Sequence, residues 1–123
     1  MIPSSVTSIG NQSFQYCYSL ASVMIPSSVT SIDNYAFQYC YSLASVMIPS
    51  SVTSIDTQAF QNCYGLGFIK FTRTTPPTVV NSDAWYNVPT DCVIYVPRGY
   101  KSAYTSAANY PSSSTYTYVE YDP

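Results

Sequence analysis

Apolar and polar positions follow the same order in three successive blocks of 23 residues. The blocks read MIPSSVTSIGNQSFQYCYSLASV (1–23), MIPSSVTSIDNYAFQYCYSLASV (24–46) and MIPSSVTSIDTQAFQNCYGLGFI (47–69). A fixed period of this length indicates that each block is one structural unit, and that a unit buries its apolar side by stacking on its neighbours. The first two blocks differ only at Gly10/Asp33, Gln12/Tyr35 and Ser13/Ala36.

The junction LASVMIP (20–26) has the alternation of a β-strand. Val23 and Ile25 would face inward, and Ser22 and Met24 would face the other way, because successive side chains of a strand point to opposite faces. Pro26 lacks an amide hydrogen and should end the strand.

The rest of each block predicts a turn followed by a short helix. In the second block, Val29 and Ile32 are expected as inward anchors of an extended or turn segment. Asp33 could cap a short helical turn, NYAF (34–37), whose Ala36 and Phe37 point inward.

Stacked blocks predict an α/β solenoid. The period and the L-x-x-V-x-I pattern are typical of a leucine-rich repeat. We expect a right-handed coil with a parallel β-sheet on its concave face and short helices or turns on its convex face. Equivalent strands would lie about 4.8 Å apart.

A divergent fourth repeat is predicted over 72–97, after three regular repeats in 1–71. AWYNVPTDCVIYVP (84–97) aligns without gaps on AFQYCYSLASVMIP (36–49), which places Trp85 on Phe37. The strand of this repeat is expected at Val93–Val96. Asp91 falls on the leucine position, where a buried charge is costly, so the chain should deviate there.

Residues 98–123 are predicted to cap the stack within one continuous domain. Tyr100, Ala103, Tyr104 and Ala107 recur at helical spacing. The alternation in YTYVEY (116–121) predicts a last strand. Such a cap covers the core that a terminal coil would expose. The first repeat has no equivalent cover, so we expect its apolar edge around Ile2, Val6, Ile9 and Phe14 to fray or to pair with another copy.

The amino-acid composition argues against two classes of function, nucleic-acid binding and binding to anionic lipid. Charged residues make up only 8% of the 123 residues, and the net charge is −2. Four Lys and Arg residues do not form the basic patch of a nucleic-acid-binding protein or of a lipid-binding polybasic segment. The hydroxyl-rich composition suits an extracellular setting. The chain starts inside a repeat, so we expect it to be a fragment of a longer protein.

The repeat unit IPSSVTSIDNYAFQYCYSLASV resembles the BspA-type leucine-rich repeat, and the tail from TPPTV to NY (75–110) resembles the degenerate last repeat and cap of that family. The family occurs on secreted and surface proteins of bacteria and some protists, and a few members are linked to adhesion. The resemblance therefore implies a secreted or cell-surface module that attaches to a host or cell-surface protein or glycan. The resemblance implies no catalytic residues, because the family has none in common.

The cysteines of the three repeats are predicted to be free, buried thiols. Cys17, Cys40 and Cys63 are spaced by the repeat period, whereas redox and metal sites favour close pairs. Parallel side chains disfavour disulfides between coils, although the spacing would permit them. A metal site remains a lesser alternative. We expect these three thiols to react only after denaturation, while Cys92 is left unassigned.

Catalysis, metals and cofactors are not predicted. The chain has no histidine, which removes the commonest general base. Asp33 and Asp56 recur at one repeat position, and capping of a turn or helix is favoured over a cation site or acid/base chemistry. The chain is expected not to be an enzyme.

The outward strand positions are the predicted partner-binding residues, because solenoids commonly bind partners on this face. Aromatic side chains at Phe68 and Tyr95 would be the anchors. The alternative is a structural spacer or assembly domain of a longer surface protein, without a ligand of its own. A second surface, made of Tyr16, Tyr18, Tyr39, Tyr41 and Tyr64, could bind glycans by ring stacking or could cover the helical side. The predicted ladder comprises Ser22, Met24, Ser45, Met47, Phe68, Lys70, Val93 and Tyr95.

Overall fold

The computed structural model of the chain describes residues 2–123 and shows a solenoid with two parallel four-stranded sheets. One sheet has the order β1-β2-β4-β6, and the other has the order β3-β5-β7-β8. The strands are β1 (Ser8–Ile9), β2 (Ser31–Ile32), β3 (Ser45–Ile48), β4 (Ser54–Ile55), β5 (Phe68–Phe71), β6 (Thr78–Val79), β7 (Val93–Pro97) and β8 (Thr117–Tyr121).

Both sheets keep the register of the repeat. Val46 pairs with Ile69, and Ile69 pairs with Ile94, so equivalent residues of successive coils lie side by side. The predicted strand of the fourth repeat is confirmed as β7. The first sheet was expected only as an extended or turn segment, and in it Ile9, Ile32 and Ile55 align.

The junction of the first two repeats differs from the prediction. Val23 and Ile25 do not lie in a strand. The Ala44 amide donates to the Ala21 carbonyl at 3.0 Å, but the ladder does not continue along this segment as it does between β3 and β5. This segment belongs to the outermost coil, and the side chain of Met24 is 74% exposed. It therefore lacks the packing on both sides that holds β5 between β3 and β7.

The short helices expected after Asp33 are replaced by turns in the three regular coils. Tyr35 and Tyr39 have φ of 60° and 63°, in the left-handed region that a right-handed helix cannot contain. A 3₁₀ helix occurs only in the divergent coil, at Ser82–Trp85, among the described residues. The Asn81 side chain caps that helix by accepting from the Asp83 amide.

Turns of successive coils also bond to one another along the stack. The Phe14 amide donates to the Ala36 carbonyl, and the Phe37 amide donates to the Ala59 carbonyl, both at 2.8 Å. Buried amide side chains extend the same pattern: Gln15 Nε2 donates to Gln38 Oε1 at 2.5 Å. The turns therefore satisfy these backbone groups between coils, as strands do.

The core is a column of equivalent side chains. Phe14, Phe37, Phe60 and Trp85 stack with ring centroids 5.2, 5.2 and 5.5 Å apart. Phe37 and Phe60 are fully buried, and burial of such a side chain contributes about 1.5–3 kcal/mol. The predicted alignment of Trp85 on the phenylalanine position is confirmed.

The divergent coil leaves the repeat pattern at the predicted place. Asp91 is exposed, and the neighbouring Cys92 is buried instead. The Cys92 amide bonds to the Pro89 carbonyl at 3.0 Å, in the way that Leu66 bonds to Cys63. A shift of one residue thus keeps the carboxylate in water.

The cap contains the predicted helix and strand. Helix α1 spans Lys101–Thr105, and β8 pairs in parallel with β7 over five residue pairs. Tyr104 and Tyr118 are buried against the last coil.

Candidate partner-binding face

The outward face of the β3-β5-β7-β8 sheet carries six residues of the predicted ladder, from Ser45 to Tyr95, whereas Ser22 and Met24 lie in the segment beside β3 that does not form a strand. Burial alternates along β3, where Val46 and Ile48 are buried while Ser45 and Met47 are more exposed. We call this outward surface the ladder face; it comprises Ser22, Met24, Ser45, Met47, Phe68, Lys70, Val93, Tyr95, Thr117, Val119 and Tyr121.

Two rows of the ladder face follow directly from the register. In one row Ser45 lies beside Phe68, Phe68 beside Val93, and Val93 beside Thr117. In the other row, the order is Met47, Lys70, Tyr95 and Val119.

Four side chains gather at one end of this face and form what we call the aromatic–lysine cluster: Phe68, Lys70, Tyr95 and Tyr121. The Phe68 and Tyr95 rings are nearly perpendicular, with centroids 5.7 Å apart. The Lys70 Nζ lies 4.3 Å from the centroid of the Tyr121 ring, which is a cation–π distance. The four residues line an open hollow of about 290 Å³.

Lys70 is the charged group of the cluster. Within residues 2–123 the one ion pair joins Arg98 to Asp122, so Lys70 has no carboxylate partner in this part of the chain. The Tyr121 ring beneath it is held in place, because its hydroxyl donates to the Phe71 carbonyl at 2.8 Å. The ammonium is therefore positioned by an aromatic ring and keeps its hydrogen-bonding capacity for an acceptor.

The structure places the remaining predicted residues around this cluster. Met24, Ser45 and Met47 line a second hollow of about 200 Å³ that also contacts Phe68. Ser22 lies with Met24 on a third hollow at the open end of the stack. Val93 is in register with Phe68 but does not line the two hollows that contact Phe68.

Tyr121 was missed as a member of the site. The alternation in YTYVEY put it on one side of the last strand with Thr117 and Val119. The missing step was the parallel pairing of β8 with β7, which brings that side into line with Lys70 and Tyr95. A pairing between distant segments is set by packing, and the local pattern does not specify it.

The three buried thiols offer no reactive site, whereas Cys17 is only half-buried. All four cysteines are free, and Cys40, Cys63 and Cys92 are buried. Burial raises the pKa of Cys40 to about 11 and the pKa of Cys63 to about 12. A protonated thiol is a poor nucleophile and a poor metal ligand.

The aspartates have local structural roles. Asp56 Oδ1 accepts from the Thr57 amide at 2.7 Å, and Asp83 Oδ1 accepts from the Gln58 amide at 3.2 Å. The bond of Asp56 agrees with the predicted capping of a turn, whereas the Asp33 side chain accepts no hydrogen bond from the described residues. Residues 2–123 contain no group of three or more acidic, histidine or cysteine residues that could hold a metal ion.

The second predicted surface is a stack of rings that we call the tyrosine ladder: Tyr16, Tyr18, Tyr39, Tyr41 and Tyr64. Its inner row stacks Tyr16 on Tyr39 at 4.9 Å. Its outer row stacks Tyr18 on Tyr41 at 4.9 Å and Tyr41 on Tyr64 at 5.2 Å. Ring faces inside each row cover one another, so the surface presents mainly ring edges. This geometry favours the covering role over glycan stacking, which needs open ring faces.

Comparisons with known proteins agree with the repeat geometry. The family model described as "BspA type Leucine rich repeat region" matches residues 1–111 in six copies. No curated protein matches the chain. No helix within residues 2–123 is long and apolar enough to cross a membrane.

Proposed function

The chain belongs to the BspA-type leucine-rich repeat family, and from this premise we propose that it is a non-enzymatic extracellular adhesion module whose ladder face binds a protein or glycan partner. A repeat solenoid of this family is an interaction or structural module. The secreted or cell-surface location is part of the proposal, and it rests on the proteins in which the family occurs.

The aromatic–lysine cluster is the observation that carries the proposal. Aromatic side chains are enriched among the residues that contribute most to binding energy. Phe68 is 38% exposed although it is a large apolar side chain, and it lies between two hollows. An anionic group on the partner could pair with Lys70 while an apolar group contacts Phe68 and Tyr95.

Divergence of the repeats supports the same location. The outward residues that flank the first two block ends are identical: Ser22 matches Ser45, and Met24 matches Met47. At the end of the third block both differ, as Phe68 and Lys70, while the inward position between them remains apolar as Ile69. Stacking does not require this outward change, so the change suits recognition.

The proposal is tested by measuring binding to an array of neutral and acidic glycans and to a panel of purified extracellular matrix proteins. For a partner found in this way, the double variant Phe68→Ala/Tyr95→Ala should weaken binding by tenfold or more. Loss of a buried anchor costs on the order of 2 kcal/mol, and 1.4 kcal/mol is tenfold in Kd.

A matched control is available on another surface. Tyr86 and Tyr100 are 57% and 42% exposed and lie outside the ladder face. The variant Tyr86→Ala/Tyr100→Ala should keep the affinity. Unchanged affinity of the Phe68→Ala/Tyr95→Ala variant would show that the partner does not bind at this cluster.

The second candidate function is a spacer or assembly domain. Its support is the identity of the first two blocks at outward positions, which is expected if stacking and length are all that matter. In that case no probe binds the ladder face. Insertion of a further copy of 24–46 would then lengthen the particle by about 4.8 Å, measured by small-angle scattering, without loss of function of the longer protein.

A further inference from the structure

We propose that the outer row of the tyrosine ladder is a modification site, at which a haem peroxidase using hydrogen peroxide joins neighbouring coils through dityrosine bonds. The row contains Tyr18, Tyr41 and Tyr64. This inference is independent of the partner proposed for the ladder face.

The geometry pairs each ring with its equivalent in the next coil. The Tyr18 and Tyr41 ring planes differ by 13°, and those of Tyr41 and Tyr64 differ by 17°. An ortho carbon of one ring must rotate toward that of the next before a bond forms, and the exposure of these side chains leaves room for this rotation. The centroid separations of 4.9 and 5.2 Å are those of the coils themselves, so the pairing is built into the fold.

The rings of this row are accessible to an oxidant. Tyr18, Tyr41 and Tyr64 are 50%, 39% and 51% exposed. Tyr86 and Tyr100 are exposed to a similar degree but stack on no other tyrosine among the described residues. Tyr86 and Tyr100 can couple only between molecules, so they are an internal control for coupling within one molecule.

The chemistry balances with the named oxidant. Each of two phenols loses one electron and one proton, and the resulting radicals form a carbon–carbon bond between ortho carbons. The two ortho hydrogens then move to the oxygens as the rings regain aromaticity, so that two hydrogen atoms are lost overall. The peroxidase transfers both electrons and both protons to hydrogen peroxide, which becomes two water molecules.

Such a bond would fasten one coil to the next. Tyr41 and Tyr64 are 23 residues apart, so the link closes a loop of about one repeat. A cross-link that closes a loop restricts the unfolded chain and raises the melting temperature. The solenoid would be stiffened where its turns otherwise rely on coil-to-coil hydrogen bonds.

The test oxidises the full chain at low concentration with a peroxidase and hydrogen peroxide, isolates the monomer, and cleaves it with cyanogen bromide after reduction of methionine sulfoxide. Cleavage after Met24 and Met47 separates Tyr18, Tyr41 and Tyr64 into the fragments 2–24, 25–47 and 48–123. We expect dityrosine fluorescence in the monomer, a joined 25–47/48–123 product two hydrogens lighter than the sum of its parts, and a melting temperature raised by several degrees.

Two variants make the assignment specific. Tyr64→Phe keeps the stacked ring but removes the phenol, so it should abolish the joined 25–47/48–123 product. Tyr86→Phe removes an unstacked phenol from the same fragment and should leave that product unchanged. Dityrosine found only in dimers, or a joined product that survives Tyr64→Phe, would overturn the proposal.

Discussion

At the scale of single residues, the equivalent thiols of the three repeats lie in different environments. Cys40 and Cys63 are fully buried, and their Sγ atoms donate to the carbonyls of Phe14 and Phe37 at 3.1 Å. Cys17 belongs to the outermost coil and is only half-buried. The expectation that all three thiols are buried is therefore corrected for Cys17, because no further coil covers its outer side in the structure.

We predict that one thiol of the native chain is labelled by a maleimide at neutral pH, and that all four are labelled in denaturant. Intact mass spectrometry counts the labels with time. Cys17→Ser should remove the fast label, since Cys40, Cys63 and Cys92 are buried. Fast native labelling of a second thiol would show that the inner coils open.

Backbone conformation at single residues is the part of the turn that sequence reasoning missed. Gln12, Tyr35 and Gln58 have φ near 60°, as do Tyr16, Tyr39 and Asn62 at a second position of the turn. Only asparagine among these types favours the left-handed region, and other side chains pay about 1 kcal/mol or more there. The coil-to-coil bonds made by the amides of Gln12, Tyr35 and Tyr39 compensate for this cost.

At the scale of elements, the cap is fastened to the stack by tyrosine hydroxyls. Tyr104 Oη donates to the Arg73 carbonyl at 2.5 Å, and Tyr110 Oη donates to the Pro77 carbonyl at 2.7 Å. Tyr116 Oη similarly donates to the Val88 carbonyl at 2.6 Å. The last coil has no further coil stacked on it to donate hydrogen bonds to its carbonyls. Each tyrosine hydroxyl supplies one such hydrogen bond instead.

We predict that Tyr110→Phe lowers the free energy of unfolding by about 1–2 kcal/mol. The ring, whose centroid lies 5.6 Å from that of Phe71, is retained, but the carbonyl of the buried Pro77 loses its donor. Denaturant unfolding followed by Trp85 fluorescence measures the change, because Trp85 lies 6.1 Å from the Tyr110 ring.

The control for this cap variant is Tyr86→Phe. The Tyr86 side chain is 57% exposed and has no hydrogen bond within the described residues. Loss of the Tyr86 hydroxyl should change the free energy of unfolding by no more than about 0.5 kcal/mol. Equal effects of the two variants would mean that the hydroxyl bond in the cap contributes nothing specific.

At the scale of the whole molecule, burial of neutral acids makes stability depend on alkaline pH. Burial raises the pKa of Cys63 and of Cys92 to about 12 from an ordinary value of 9.0, and it also raises the pKa of Tyr104, Tyr110 and Tyr118. Each group stays protonated when folded and ionises earlier when unfolded. Its contribution is thus complete below the unfolded pKa and is lost as pH rises toward the folded pKa.

We therefore predict that the denaturant midpoint falls steadily between about pH 9 and pH 12. A pKa difference of one unit corresponds to about 1.4 kcal/mol. Cys63→Ser removes one of these groups and should flatten the decline above pH 9. An identical decline in the variant would show that Cys63 contributes nothing to the alkaline effect.

The open end of the stack remains the place that is predicted to fray or to pair with a second copy, and we propose the pairing. Ile2, Val6 and Phe14 are half-buried there and line, with Ile9, a hollow of about 300 Å³. A second copy would remove this apolar surface from water. We expect sedimentation of the 123-residue chain to show concentration-dependent association.

The test compares two charged substitutions. Val6→Asp should abolish the association, while Val80→Asp, at a 56% exposed valine far along the stack, should leave it unchanged. A monomer whose first coil is fully protected from hydrogen exchange would contradict the prediction.

The sequence by itself determined the repeat, the inward column and the register. A period of 23 with identical apolar positions can bury its core only by placing each residue against its equivalent, and Phe37 on Phe60 follows from that. The tertiary structure decided the features that the sequence of a single block does not specify. The second sheet, the turns in place of helices and the position of Tyr121 beside Lys70 all depend on hydrogen bonds and contacts between segments that are distant in sequence.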